Sequence, residues 1–418
     1  MGGSFEYSQP TTNNRDDFAD TCCCCWDHSF FYVLFHALPI LFRELTSPLR
    51  HMRGPKNPSL VFGNFQKMME DPNLTDKWRN EFGATFLFKG VFGISELHTS
   101  DIKTINHIFS KSAVYQRAPF ARANSSQLTG NGILSVGLDD HKHFQTPAFN
   151  VAQMRVTTEV FIEKAIQMCA NCIFTRHFEV LSWLRLMTLE IIGKAGFDYD
   201  FEALVPDKKP NELNEVLMQL FHSPLSNRYA TFRLAWSLVP ILGLVPLPGK
   251  SLFLAAQTKM FTIGHQILAR SKAAIKATDG EKDLGSKRDL LSVLLKANLS
   301  TDVPANQRLS DEELVSQIPT FFVAGHETTS TAASWALHVL LMNTAAQMKL
   351  REELLTVSTD NPTMDELNSL TYLESVIRET MRICAPVTFR HRMATQEDVL
   401  PLSKPYVDQY GRSNDSLV

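Results

Sequence analysis

Ser310 and Glu313 stand at the head of an apolar, helically periodic run that continues to about Asn343. Their S-x-x-E spacing is a capping box, in which each side chain satisfies a backbone N–H of the other residue. A helix of that length spans roughly 50 Å at 1.5 Å per residue. It must cross a whole domain, and the other elements have to pack around it. In its middle stands FFVAGHETTS (321–330), followed by Thr331. Gly325 weakens a helix interior by about 1 kcal/mol relative to Ala. The hydroxyls of Thr328, Thr329, Ser330 and Thr331 can bond back to carbonyls one turn earlier and bend the axis. Gly followed by Glu-Thr-Thr therefore reads as a local opening in a buried helix. It offers a flat surface for a ligand, with the Thr328 hydroxyl and the Glu327 carboxylate beside it to pass protons.

Two simpler readings compete. His326-Glu327 begins the zinc motif H-E-x-x-H, but position 330 is Ser, which removes the second ligand. A Thr-rich patch also suits plain helix–helix packing.

A second helix, YLESVIRETMRICAPV (372–387), carries Glu379 and Arg382 three residues apart on one face. A buried charge is costly unless paired. The pair is therefore expected to be structural and to hold further polar partners.

The rest of the chain narrows the class. Its 418 residues suffice for one large domain or two ordinary ones. A net charge of -3, with no dense Lys/Arg stripe, argues against a nucleic-acid binder. The 28 phenylalanines suit a large apolar interior or pocket. Seven cysteines, four of them adjacent at 22–25, do not make a disulfide framework. Cys169 and Cys172 fall in the helical run FIEKAIQMCANCIF and read as packed thiols rather than a redox or zinc pair.

From about 151 to 352 nearly everything has helical periodicity. LSWLRLMTLEIIGKAGFDYDF (181–201) reads as a helix closed by Gly196, and DLLSVLLKANLS (289–300) as another. Residues 76–100 hold ATFLFKGVFGISELHTS, an alternating pattern with Gly at the bend that predicts a small strand pair. The expected fold class is mainly α with a small β region.

An N-terminal segment, 1–52, contains the apolar run SFFYVLFHALPILF (29–42). Extended back through the cysteines, to about 22–42, it reaches the roughly 20 residues of a membrane anchor. Arg43, Arg50 and Arg53 follow it and place its C-terminal side in the cytosol. Palmitoylated cysteines would strengthen it; a buried or interfacial helix is the alternative. RGPKNPSLVFGN (53–64) reads as a hinge into a main domain, 53–418. LAWSLVPILGLVPLP (234–248) has three prolines, which forbid a continuous helix. It is either buried or in contact with a bilayer surface.

Taken together, the two helix motifs resemble the cytochromes P450, in particular membrane-bound fungal members, over about residues 53–412. Ala324-Gly325-His326-Glu327-Thr328-Thr329 matches the (A/G)-G-x-(D/E)-T-(T/S) of that family's long central helix. Glu379-x-x-Arg382 matches its E-x-x-R. Residues 53–64 resemble its proline-rich hinge, and TLEIIGKAGF (188–197) resembles one of its helices.

The resemblance implies the P450 fold, with haem between the helices. It implies a monooxygenase that inserts one atom of O2 into an apolar small molecule, with electrons from NADPH delivered by NADPH–cytochrome P450 reductase. It also implies an endoplasmic reticulum membrane with the main domain facing the cytosol. Thr328 would hydrogen-bond dioxygen and Glu327 would relay protons. Ala324, Gly325 and Thr329 are the helix positions it sets against the cofactor, Gly325 allowing close approach. Arg392, after PVTFRH, would sit on a haem propionate, and His141 would take a similar basic position.

This sequence departs from the family in three places. The family holds its iron through a cysteine thiolate in an F-x-x-G-x-R-x-C-x-G loop after the E-x-x-R helix. No such loop follows Arg382, and Cys384, two residues on, lacks the surrounding glycines. The segment that completes the Glu379–Arg382 network in the family is missing as well. In DDHKHFQTPAF (139–149), Gln145 stands where an arginine is expected. There Asp140, His141 and His143 read as a solvated helix start rather than a metal site. The expectation is thus a P450 fold incomplete at its C-terminus, with no axial cysteine. The alternative is an inactive, haem-free fragment or membrane-bound pseudoenzyme that binds an apolar ligand or a partner.

Overall fold

The computed structural model describes residues 38, 41–42, 44–71, 73–133, 135, 151–173, 179–206, 208–209, 211–221, 250–277, 289–299 and 308–417. The chain divides into two compact units, residues 1–115 with 394–418, and residues 116–393.

The first unit holds the small β region. Helices α1 (Phe65–Glu70) and α2 (Leu74–Phe82) lead into strands β1 (Thr85–Lys89) and β2 (Ser95–Thr99). The strands pair antiparallel with Thr85 opposite Thr99 and Lys89 opposite Ser95. The connection turns through Phe92 at φ 57° and Gly93 at φ 71°, the left-handed conformation a tight bend needs. Phe86 and Phe88 of β1 pack on Trp78 of α2, with ring centroids 6.0 and 6.1 Å apart. Helix α3 (Ile102–Ser110) follows, and strands β3 (Leu400–Val407) and β4 (Ser413–Leu417) come from the far end of the chain. Met52, Leu87, Leu402 and Leu417 form the shared core.

The proline-rich stretch expected as a hinge lies along β1. Leu87 N–H donates to Arg53 O at 3.1 Å and Asn64 N–H to Lys89 O at 2.8 Å. A Cβ on Gly54 would stand 1.6 Å from Leu87 O, so only glycine fits this approach. The prolines still punctuate the chain, but the segment borders the sheet as a packed strip.

Asp398 ties α3 to the segment before β3. It accepts from Lys111 Nζ at 2.9 Å and the Tyr115 hydroxyl at 3.0 Å, and meets His107 Nε2 at 2.8 Å. Lys111 and then His107 hold its carboxyl well below the usual carboxylate range. Burial and the same carboxylate push Tyr115 up to about 12.

The second unit is helical: α4 (Pro119–Thr129), α5 (Val151–Ile173), α6 (Val180–Phe197), α7 (Glu212–Phe221), α8 (Lys250–Ala277), α9 (Leu290–Leu299), α10 (Asp311–Met342), α11 (Thr344–Leu354), α12 (Met364–Asn368) and α13 (Thr371–Ile383). Its core gathers α6, α8, α9 and the first half of α10 around residues such as Leu189, Met260, Leu291, Val315 and Phe322. Two boundaries differ from expectation. Helix α6 ends one residue beyond Gly196, because Asp198 takes the left-handed conformation (φ 46°) and its N–H closes on Gly193 O and Lys194 O. Helix α13 stops at Ile383 rather than running on toward Val387, since Pro386 lies just beyond.

Among the described residues no helix is long and apolar enough to cross a membrane. The anchor expected at about 22–42 lies outside the described residues except for positions 38, 41 and 42, and the 234–248 stretch and His141 lie outside them as well.

Candidate active site

Helix α10 begins as its sequence dictates. Glu313 N–H donates to Ser310 Oγ at 3.2 Å, and Ser310 N–H to Glu313 Oε2 at 2.8 Å. Every residue from Leu314 to Phe322 is buried. Gln317 lies in this dry stretch with both ends of its amide used. Its Oε1 accepts from Ile133 N–H at 3.0 Å and its Nε2 donates to Glu313 O at 3.0 Å. Pro319 sits inside the helix and removes one backbone donor.

The acid–alcohol stretch follows. Thr328 Oγ1 donates to Ala324 O at 2.6 Å, and Ser330 Oγ to His326 O at 2.8 Å. A hydroxyl from α6, Thr188, also donates to His326 O, at 3.0 Å. Ala324 and Thr329 are exposed and Thr328 half-buried. Ala324 and Thr328, four residues apart, share one helix face, and that face is open. In this rotamer the Thr328 proton is engaged by the helix, while its oxygen lone pairs remain able to accept from a ligand.

Gly325 faces Ile192 of α6. A Cβ there would lie 3.0 Å from Cδ1 and Cγ1 of Ile192, so this glycine lets α6 approach α10. The open position is Ala324.

The Glu327 carboxylate sits between two bases. Arg185 Nη2 of α6 is 3.8 Å from Oε2, and Nε2 of the buried His326 is 3.6 Å from Oε1. Arg185 and Thr188 escaped the sequence reading. Both lie in a stretch read from the sequence as a helix, and spacing along one helix does not say which residues of another it meets.

Arg392 lies in a cluster of like charge. Its Nη1 donates to His391 O at 3.0 Å, and partial desolvation followed by Arg390 pushes its guanidinium pKa down. Burial, then Arg390, Arg392 and Arg122, do the same to Arg117, which comes from the segment ahead of α4. Guanidinium groups gathered in this way favour a ligand that brings negative charge. This is the chemistry that the two carboxylates at the edge of a haem would meet, and Arg117 and Arg390 join Arg392 as candidates to hold them. The described cysteines do not offer the thiolate. Cys169 is exposed and Cys172 half-buried on α5, where burial and then Cys169 push the Cys172 thiol up. Cys384 caps α13, its N–H on Thr380 O at 2.7 Å.

The Glu379–Arg382 pair forms as a two-pronged fork, Nε to Oε2 and Nη2 to Oε1, each 2.7 Å. It does not lie in the polar, buried setting expected of it. The Arg382 side chain is 70% exposed and that of Glu379 56%.

A family model described as Cytochrome P450 matches residues 52–402. The chain belongs to the cytochrome P450 family. This P450 is 42% identical over 404 residues to "Cytochrome P450 monooxygenase 205" of Postia placenta, which covers 92% of this chain and 74% of the relative. It is 42% identical over 396 residues to "Cytochrome P450 monooxygenase 128" of the same fungus, at 90% and 72% coverage. It is 33% identical over 418 residues to "Cytochrome P450 monooxygenase claQ" of Ampulloclitocybe clavipes, at 94% and 75% coverage. As a P450 it is an oxidoreductase of the monooxygenase type. The family implies haem as cofactor and, in general, a reductase, O2 and apolar substrates.

Proposed function

We propose that this P450 is the oxygen-activating part of a haem-thiolate monooxygenase that inserts one atom of O2 into an apolar small molecule. NADPH–cytochrome P450 reductase would supply the electrons. The observation that carries the reading is the open face of α10 at Ala324 and Thr328, with the Glu327 carboxylate beside it. Arg117, Arg390 and Arg392 would hold the propionates of haem, and the thiolate would come from the cysteine loop in a longer form of the chain. Haem held there supplies the activation of dioxygen. Thr328 accepts a hydrogen bond from a ligand in its present rotamer and donates only on leaving the Ala324 carbonyl. Glu327, flanked by Arg185 and His326, holds a proton or hands it to water on the same face. The apolar run at 29–42, followed by three arginines, supports attachment to the endoplasmic reticulum membrane with the main domain in the cytosol.

A second reading is favoured by the exposed Glu379–Arg382 fork and the apolar surface near it, which includes Ile377, Met381 and Ile383. In that reading the 418-residue chain by itself is a haem-free fragment or membrane-bound pseudoenzyme that binds an apolar ligand or a partner. A reduced, CO-bound difference spectrum separates the two. It is taken on membranes carrying the 418-residue chain and on membranes carrying a longer product of the same gene. A thiolate-type Soret band from the longer product alone is the expected result. No such band from either would overturn the monooxygenase reading.

A further inference from the structure

Helix α6 buries an acid that the candidate active site does not use. Glu190 is 1% exposed and stands between α5 and the loop that follows α6. Its Oε1 accepts from the Ala203 N–H of that loop. Its Oε2 receives no hydrogen bond within the described residues. Lys164 Nζ of α5, itself buried, is 3.7 Å from Oε2, beyond hydrogen-bond reach. The Asp200 carboxylate of the loop lies beside Glu190. A charged oxygen buried without a donor is costly. A proton on this carboxyl removes the charge and supplies a donor, and Asp200 is an acceptor within reach.

The loop at 198–206 is wrapped tightly around that carboxyl. Asp198 and Glu202 both take positive φ, 46° and 52°, which side chains other than glycine adopt only when their surroundings hold them there. Phe201 and Leu204 turn inward, 2% and 1% exposed. The Phe201 ring lies 5.4 Å from that of Phe322 on α10. Asn171 of α5 donates to Leu204 O at 2.6 Å. We propose that Glu190 is a proton-dependent clasp: with its proton it holds the 198–206 loop to α6, and without it the carboxylate repels Asp200 and loosens the loop. Ionised, the two acids bring like charges together where one buried cation stands. Burial above all pushes the Glu190 carboxyl up, with Asp200 adding to it and the Ala203 N–H and Lys164 opposing. A raised folded value means that the clasp is complete below the released value of about 4.3 and weakens as pH rises through the folded one. Phe201 passes the loosening to Phe322, in the buried half of α10 just ahead of the acid–alcohol stretch.

The other titratable groups around this junction are engaged with one another. Lys194, one turn along α6, donates to Asp198 Oδ1 at 2.8 Å, and Lys208 binds Glu202. On α5, Lys164 is shared with the exposed Glu163 at 3.7 Å and with Gln167 Oε1 at 3.4 Å. Two turns on, burial and then Cys169 push the Cys172 thiol up. On α10, His326 and Glu327 meet α6 at Thr188 and Arg185. Ahead of α9, Asp289 accepts from Ser292 N–H at 3.0 Å, and Lys296 is the one charged side chain of that helix.

The test is amide hydrogen exchange of the full chain in detergent, read by mass spectrometry at pH 4 and pH 8 and corrected for the intrinsic exchange rate. Protection of peptides covering 198–206 should fall by about threefold to tenfold between the two, while peptides of the β1–β2 pair keep theirs. In Glu190→Gln, which retains the acceptor for Ala203 and a donor for Asp200, the fall should vanish. A merely structural Glu190 would change protection by the same factor at both pH values. If Glu190→Gln does not fold, Asp200→Asn at an exposed position takes its place: removing the like charge should shrink the fall. The proposal is overturned by a wild-type loop whose protection does not fall, by a fall shared with β1 and β2, or by a fall that survives Glu190→Gln. Where that variant does not fold, a fall unchanged in Asp200→Asn overturns it. No haem enters the readout, so the clasp and the monooxygenase reading stand or fall separately.

Discussion

The two halves of α10 have similar hydrophobicity and opposite surroundings. From Leu314 to Phe322 every residue is buried, packed against α6, α8 and the 130–133 segment, with Phe322 at 0% exposure. From Thr331 to Met342 none is buried, and Leu341 and Met342 stand 67% and 78% exposed. The acid–alcohol stretch lies on the boundary between them. Apolar character alone therefore does not say where a helix is held; the partners do. A chemical site at this junction gains one rigid flank and one accessible flank.

Substitutions can break that contrast, starting with the strongest. Phe322→Ala should cost about 3–5 kcal/mol, since Phe197 and Phe201 pack on its ring at 4.8 and 5.4 Å. A denaturant midpoint unchanged in that variant would refute a tightly packed first half. Gln317→Ala strands the buried N–H of Ile133 and should cost about 1–3 kcal/mol, read in the same assay. Ser310→Ala removes half of the capping box and should cost about 1 kcal/mol, while Ser310→Asp should recover it. Leu341→Ala, on the open half, should stay within about 0.5 kcal/mol; a large loss would show that this half is covered in solution.

One prediction turns on pH. Burial, only partly offset by the Ala203 N–H and by Lys164 at 3.7 Å, pushes the Glu190 carboxyl above its ordinary range. A raised folded pKa gives stability that is complete below the unfolded value of about 4.3 and is lost as pH rises through the folded one. Glu190→Gln keeps the acceptor for Ala203 without the charge. Its melting temperature relative to wild type should therefore be more favourable at neutral pH than at pH 4. A difference that does not change with pH would show that Lys164 fully compensates the charge.

How much of this was legible depended on whether the cause was local. The start of α10 at Ser310 and its end near Asn343 follow from a cap and a period, both carried by neighbouring residues. The strand pair at 85–99 and the helix from Asp289 onward follow the same way; Asp289 Oδ1 accepts from Ser292 N–H at 3.0 Å. What failed was relational. The approach of α6 at Gly325 was not legible, because a sequence does not give the rotation of one helix against the next. Arg117, Arg185, Thr188 and Arg390 matter through residues far along the chain from them. Glu379 and Arg382 were correctly paired and wrongly buried, since the i, i+3 spacing fixes the contact and leaves its surroundings open.

The Asp398 latch has a consequence for synthesis. The residues it gathers lie 283 to 291 positions earlier in the chain. The ribosome delivers α1 through α3 and the first strand pair, then all of the second unit, before Asp398 emerges. The helices of residues 116–393 can collapse as they appear, through contacts closer in sequence. The first unit must wait, half made, with Leu87 and Met52 lacking Leu402 and Leu417. Closing so long a loop is slow more than it is costly. The early part of this chain is therefore the part that most needs a chaperone during translation.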